Sequence, residues 1–296
     1  MNSVFPDGIA RITPHDDLWP LRLSTIADAP KQLFVRGKTS LLRSTCVAVV
    51  GSRRASPYGT EVCGMIASSL AQAGITVVSG MAFGIDSIAH TSALDAGGST
   101  IAVLGSGIDN ASMTPREHEP LGRRIDGPKG LIISEYAPGS PATKGSYPAR
   151  NRIISGISQA TIIVEADIKS GSLITAKCAL DQGRDVYAVP GSIFWPRSEG
   201  TNWLIAQGAH PLLHIEEIVE RINGTQPSLL ESPVNPAPNN DSLEERIVTL
   251  LSQRGPLHMD AIVETLTCSA PEAMVALSML ELSKRIRSTH GIYRIT

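Results

Sequence analysis

Hydrophobic residues change their rhythm along the chain. Between residues 46 and 189 they gather in short β-branched runs: CVAVV (46–50), ITVVS (75–79), STIAVLG (99–105), GLIISE (130–135), TIIVEA (161–166) and RDVYAV (184–189). These runs are almost continuously apolar, without in-out alternation, which marks strands buried on both faces. The stretches between them carry a helical period instead. In GTEVCGMIASSLAQAG (59–74), Val62, Ile66 and Leu70 share one stripe and a glycine closes the segment, and IDSIAHTSALDAGG (85–98) repeats the design. Strand, helix, strand in this order predicts a doubly wound, mostly parallel α/β sheet with right-handed crossovers. Its strand-to-helix loops then gather along one edge, where open α/β sheets bind their ligands.

A second texture begins near residue 224. The segment GTQPSLLESPVNPAPNND (224–241) lacks both periods and concentrates Pro, Asn and Ser, as linkers do. Beyond it, Asp241 and Glu244 predict a capping box ahead of Leu243, Ile247, Leu250 and Leu251, a helix that Gly255-Pro256 stops. Ser269 and Glu272 repeat the box before a helix over 271–282, and RIRSTHGIYRI (285–295) reads as two strands about a His290-Gly291 turn. Three helices followed by a hairpin describe a winged helix-turn-helix. The expected organisation is a lead-in over 1–40, a Rossmann-like core over 41–223, a linker over 224–240 and a small C-terminal winged-helix domain over 241–296.

Charge and composition narrow the picture. With 42% hydrophobic residues among 296, the chain can bury one large core beside a small domain. Its formal net charge is only -2, so any anion site must be local. No run approaches the roughly 20 apolar residues of a membrane span, and the opening MNSVFPDGIARITPHDDLWP lacks a signal-peptide layout, so a cytoplasmic protein without a membrane partner is expected. Cys46, Cys63, Cys178 and Cys268 are widely spaced and read as core fillers, not as a disulfide framework or metal knuckle.

Five segments at the predicted loop edge carry the candidate chemistry. GSRRASPYG (51–59) follows the first strand with Gly51, Ser52, Arg53 and Arg54 and leads into a helix. Amides at a helix start beside a guanidinium make a phosphate site, and capping or surface pairing by the arginines fits equally. The dinucleotide fingerprint is absent, because Arg53 and Ser56 stand where it needs glycines. In SGMAFGID (79–86), Gly80 permits close backbone approach, tight packing being the alternative, and Asp86 is ordinary dipole compensation. His90 has no Cys or second His nearby and reads as structural, so no metal is expected.

KGSYPARNRII (144–154) sets Lys144, Arg150 and Arg152 close to Tyr147, a combination suited to single strands, whose phosphates meet cations while an exposed base stacks on a ring. The alternative is a solvated loop, with Asn151 holding backbone. EADIKSGSLITAK (165–177) offers Ser170, Gly171 and Ser172 at another helix start, and VPGSIFWPRSEGTNWLIAQGA (189–209) walls the same edge. Glu165 and Asp167 are the available carboxylates, and a glutamate there more often orients an arginine than catalyses. There is no Ser-His-Asp order, paired-histidine zinc signature or nucleophile elbow.

These segments, with the lead-in DDLWPLRLSTIADAPKQLFVRG (16–37), resemble the DprA (DNA-processing protein A, or Smf) family in order and spacing from about His15 to Arg221. The resemblance implies a single-stranded DNA-binding protein that loads the RecA recombinase on incoming DNA in natural transformation, acts as a homodimer, and is neither an enzyme nor cofactor-dependent. It carries Arg53 to the phosphates, Lys144 to the family's basic position, Tyr147 to its base-pocket aromatic and Ser170 to Ser172 to its second glycine-serine turn. Three features depart from the family. Tyr147 replaces the usual Phe, Thr114-Pro115-Arg116-Glu117-His118 replaces Tyr-Pro-x-x-Asn, and the stretch before the core is too short for the extra N-terminal helical module of many members.

The tail resembles the family's C-terminal winged helix. Its recognition helix PEAMVALSMLEL holds Glu272 and Glu281 but no Lys or Arg, a poor design for a major groove, whereas Lys284, Arg285, Arg287 and Arg294 make the wing basic. The module is expected to bind duplex weakly through its wing, or to bind protein. Two rival functions fit parts of the pattern. A nucleotide N-glycosidase of the phosphoribohydrolase type needs Pro-Gly-Gly-x-Gly-Thr where SGSLITA stands, and a winged-helix transcription regulator needs a less acidic recognition helix.

Overall fold

A computed structural model describes residues 8–223, 242–289 and 291–295, in two compact units, Met1–Pro227 and Ser228–Thr296. All six β-branched runs form strands of the first unit. Two short strands precede them, β1 (Ala10–Ile12) and β2 (Leu33–Gly37). The alternating part runs β3 (Cys46–Val50), α1 (Pro57–Gln72), β4 (Thr76–Ser79), α2 (Ile85–Asp95), β5 (Thr100–Leu104), α3 (Glu119–Ile125) and β6 (Gly130–Ser134). It continues with α4 (Ser146–Ile157), β7 (Ala160–Ile163), α5 (Ser172–Asp181), β8 (Asp185–Ala188), α6 (Pro196–Ala206), β9 (His210–Pro211) and α7 (Ile215–Asn223).

Among the described residues the strands form one sheet in the order β1-β2-β6-β5-β4-β3-β7-β8-β9. From β6 across to β9 the neighbours are parallel, in register through pairs such as Val47 with Val77 and Val49 with Ile162. Alternate residues of β3 divide between two cores. Cys46, Ala48 and Val50 pack with Ile153, Ile154, Ala176 and Leu204 of α4, α5 and α6, while Val47 and Val49 pack with Ile66, Leu70, Ala89 and Ile218 of α1, α2 and α7. Helices therefore cover both faces, which is why the strand sequences are apolar on both sides.

The sheet crosses the boundary expected at residue 40. Strand β2 pairs antiparallel with β6, and β1 with β2, so the lead-in finishes one edge. Arg36 on β2 is buried there, its charge met by Asp126 at 3.1 Å and its N–H groups by the Ile108 carbonyl and Asn110 Oδ1.

The second unit contains α8 (Leu243–Arg254), β10 (Leu257–His258), α9 (Met259–Leu266), α10 (Ala270–Leu282), β11 (Ile286–Thr289) and β12 (Ile292–Ile295), with a small sheet in the order β10-β12-β11. Ile247, Leu251, Ile262, Leu277, Leu280 and Ile286 form its core. The box expected at α10 is present in full: Ser269 accepts from the Glu272 amide and the Glu272 carboxylate accepts from the Ser269 amide. At α8 the cap sits one residue later than expected, on Ser242, which accepts from the Glu245 amide at 3.3 Å. Asp241, the expected linker over 224–240 and His290 lie outside the described residues.

Candidate nucleic-acid interface

The strand order reverses beside β3. The chain proceeds outward from β3 through β4 and β5 to β6, then returns to place β7 on the other side of β3. Loops leaving β3 and β7 therefore diverge, and the crevice between them is the switch point at which such sheets bind ligands. A cleft of about 740 Å³ occupies that place. It is lined by residues 51–54 after β3, Ala82 and Asp86 after β4, Lys144, Tyr147, Pro148, Arg150, Asn151 and Ile154 around α4, Asp167, Ser170, Gly171, Ser172, Ile174 and Thr175 after β7, and Pro196 and Arg197 at the start of α6. No His or Cys is among its lining residues.

The loop after β3 is fastened from two sides. The Ser52 amide donates to the Glu165 carbonyl at 2.7 Å, and the Ser52 carbonyl accepts from the Ile85 amide at 3.1 Å. Gly84, at φ +74°, lies so close to Ser52 and Arg53 that a side chain there would strike their backbone. Glu165 fills the start of α1. Its buried carboxylate accepts from the Ser56 amide at 2.9 Å and from the Ser56 hydroxyl, while Ser56 Oγ accepts from the Gly59 amide at 3.0 Å. Glu165 thus caps the helix and does not orient an arginine. A carboxylate already occupies this helix start, so the side chains of Arg53 and Arg54, not its amides, are the cationic groups that the first segment presents.

Arg53 and Arg54 are exposed, as is Lys144 on the facing wall, and none of the three has a carboxylate partner among the described residues. Arg53 lies over the Tyr147 ring, 5.4 Å from its centroid, so the first and third segments meet through a cation–π contact. The cleft holds five cations (Arg53, Arg54, Lys144, Arg150, Arg197) against two carboxylates (Asp86, Asp167), an excess that the near-neutral whole chain conceals.

Helix α4 sorts its own residues. Tyr147, Arg150, Asn151 and Ile154 follow the i, i+3, i+4, i+7 stripe and line the cleft. Arg150 is nonetheless buried: its guanidinium donates to the Gly80 carbonyl at 2.6 Å and to the Val103 carbonyl, and faces Asp86 at 3.9 Å. Burial pushes the Asp86 carboxyl upward, opposed by Arg150 and by the Ala82 and Gly80 amides that it accepts from. Asp86 is therefore a buried clasp for residues 80–82, a larger role than dipole compensation. Asn151 joins Arg150 to the fourth segment, accepting from Arg150 Nε at 3.1 Å and donating to the Gly171 carbonyl at 3.3 Å. Ser170, Gly171 and Ser172 line the cleft, with no side-chain cap at the start of α5.

Two expected residues fall outside the cleft. Arg152 points away from the stripe and is held by Glu135 at 2.8 Å and Asp28 at 2.9 Å. Gly80 is a packing glycine, since a side chain there would overlap the Arg150 guanidinium. The divergent 114–118 loop does not line the cleft either; His118 Nδ1 reaches the Met81 carbonyl at 2.9 Å and supports the second segment from outside. His90 is structural: Nδ1 lies 2.6 Å from Thr100 Oγ1 in the core. Arg197 escaped the sequence reading because its VPG segment signals only a wall, and the fold alone brings its side chain to the cleft.

Comparisons with known proteins identify the family of both units. Residues 10–223 match the family profile of DNA recombination-mediator protein A, and residues 231–291 match the DprA winged helix domain. Protein Smf of Escherichia coli (strain K12) is 38% identical over 286 residues, 95% of this chain and 76% of that protein. DNA processing protein DprA of Streptococcus pneumoniae is 45% identical over 194 residues, 66% of this chain and 67% of that protein. The crystal structure of DNA processing protein A from Streptococcus pneumoniae superposes with a TM-score of 0.67 at 41% identity, covering 71% of this chain and 72% of its own. The solved structure of DNA processing protein A from Helicobacter pylori, described for its single-stranded DNA binding mode, gives 0.66 at 32% identity over 76% of this chain and 99% of its own. With its core and its tail both matched, the chain belongs to the DNA recombination-mediator protein A family.

Proposed function

We propose that this recombination mediator binds single-stranded DNA in the switch-point cleft and, as a cytoplasmic homodimer, loads RecA on incoming DNA in natural transformation, without catalysing a reaction. One observation carries the reading. Arg53, Arg54 and Lys144 border the cleft with no carboxylate among the described residues to neutralise them, and an aromatic ring stands between the two walls. Unpaired cations meet phosphates, and Tyr147 offers a face to an unstacked base, a pairing that suits a flexible strand better than a stacked duplex. Ser170, Gly171 and Ser172 supply further polar groups along the opposite wall. The relative from Helicobacter pylori, described for its single-stranded DNA binding mode, supports the same substrate. Among the described residues no helix is long and apolar enough to cross a membrane.

Fluorescence anisotropy with labelled oligo-dT and a matched duplex, at several salt concentrations, tests the reading. The single strand should bind more tightly, and Arg53→Ala should weaken binding and lower the log–log salt slope by about 0.7, the share of one phosphate contact. Equal binding of duplex and an unchanged variant would overturn it. Stimulation of RecA filament formation on strands coated by single-strand binding protein tests the loading step.

A further inference from the structure

The fifth segment reaches the cleft at Pro196 and Arg197, and directly before these two lining residues it exposes an apolar run. Ile193 is 84%, Phe194 86% and Trp195 50% exposed, in a chain with only four Phe and three Trp. The exposure is not that of a loose loop. The Phe194 amide donates to Ser192 Oγ, the Trp195 amide to the Ser192 carbonyl, and the Ser198 amide to the Trp195 carbonyl. Asn202 exchanges two hydrogen bonds with Gly191, the Tyr58 hydroxyl donates to the Pro190 carbonyl, and the Arg197 carbonyl accepts from Ala166 at 2.8 Å. The backbone is thus stapled to α6, to α1 and to the loop after β7, and it holds two aromatic side chains in solvent beside a cationic cleft.

We propose that Phe194 and Trp195 form a second stacking platform for the bases of the single strand, extending its path beyond the Tyr147 site; this rests on the reading of the cleft as a single-strand site. The chemistry selects this occupant. Arg197 follows the aromatic pair and Arg53 and Arg54 lie along the same cleft, so a strand whose phosphates follow the cations passes the aromatic faces with its bases free. Alternating cations and rings is the composition that sequence-tolerant single-strand grooves use. Tyr147 serves one end of this path and Phe194 with Trp195 the other.

The test compares wild type, F194A/W195A, W195F and Arg53→Ala by anisotropy, with a short oligo-dT, a longer one, and the longer one made abasic. Both aromatic residues are largely exposed, so the variants should keep the wild-type circular dichroism and melting temperature. F194A/W195A should bind the longer oligo-dT roughly 5- to 100-fold more weakly, as expected for losing one or two stacked bases. It should leave the short oligo-dT and the salt slope unchanged and show less preference for bases over abasic sites, while W195F keeps wild-type affinity and Trp fluorescence in the wild type is quenched by the longer strand. Wild-type affinity of F194A/W195A on the longer strand, or a change in its oligomeric state by light scattering, overturns the platform, the latter assigning these residues to a protein interface. If Arg53→Ala still weakens binding, the cleft reading survives that result; an unchanged Arg53→Ala overturns both.

Discussion

Arg53 and Lys144 of the core and Arg285 of the tail are all exposed cations, yet they do different things. The core residues border a concave cleft, one resting on an aromatic ring and both without a carboxylate partner among the described residues. In the tail, the Arg285 guanidinium forms two bonds with the Glu245 carboxylate, at 2.6 and 3.0 Å, tying the wing to α8, and Arg246 donates to the Leu266 carbonyl. Helix α10, which would enter a groove in a DNA-reading winged helix, exposes Met274, Val275, Met279 and Leu282 and carries no Lys or Arg. Basic composition alone therefore does not locate a nucleic-acid surface. What distinguishes the cleft is cations left unneutralised in a concave setting, whereas the tail spends a basic residue on its own packing and turns an apolar helix face outward.

The comparison breaks most sharply inside the cleft, where one cation is structural. Arg150→Met removes the counter-charge of Asp86 and the bonds to the Gly80 and Val103 carbonyls, leaving a buried carboxyl without its cation. The expected loss is about 3 kcal/mol in a urea titration, and Arg150→Lys should recover little because one ammonium cannot serve the two carbonyls from Nη1, Asn151 from Nε and Asp86 from Nη2 at once. Lys144→Ala should behave in the opposite way. Its melting temperature should match wild type, while oligo-dT affinity falls and the salt slope drops by about 0.7. Lys284→Ala in the tail should change neither property of the oligo-dT complex, and a drop in slope equal to that of Lys144→Ala would erase the distinction between the two regions.

Much of this was legible in the sequence, for identifiable reasons. Buried parallel strands need apolar residues on both faces, so all six runs were visible, and the topology that follows from them brings residues 51–54, 144–151 and 170–172 to one cleft. Short antiparallel strands leave a weaker trace. ARI and LFVRG are too brief to show a period, and only pairing with β6 reveals them as sheet. Arg152 was misplaced because two positions along a helix are neighbours in sequence but lie on opposite sides of it. Glu165 and Asp86 could be seen as carboxylates at the edge; that one caps α1 and the other clasps the 80–82 turn depends on contacts between distant segments, which no local pattern records.

The core carries a titration that its binding edge does not need. Burial holds the His90 pKa at about 3. Thr100 donates its hydroxyl proton to the Val77 carbonyl at 2.8 Å, so His90 Nδ1 must carry the proton shared with Thr100 Oγ1, and Nε2 has no hydrogen-bond partner among the described residues. An unfolded histidine titrates near 6.5, so between about pH 6.5 and 3 the unfolded state binds one more proton than the folded state. Stability is fully present above that window and falls as pH drops, by up to about 1.4 kcal/mol per pH unit from this residue. In denaturant titrations at pH values of about 7 and about 5, His90→Gln should lose less stability between the two than wild type. Equal losses would assign the acid sensitivity elsewhere.

The smallest effect tests whether the two regions are separable in function. Ser269 accepts from the Glu272 amide at the start of α10, and its own amide is bonded by the Glu272 carboxylate, so Ser269→Ala removes the hydroxyl half of the capping box and leaves the amide–carboxylate bond. The expected cost to the tail unit is about 1 kcal/mol, read as an earlier transition for that unit in calorimetry. Every residue lining the cleft lies between Val50 and Arg197, within the core unit, so the same variant should bind oligo-dT with wild-type affinity and salt slope. Weaker oligo-dT binding by Ser269→Ala would mean that the strand also engages the tail, and that its apolar helix and wing belong to the binding surface despite their composition.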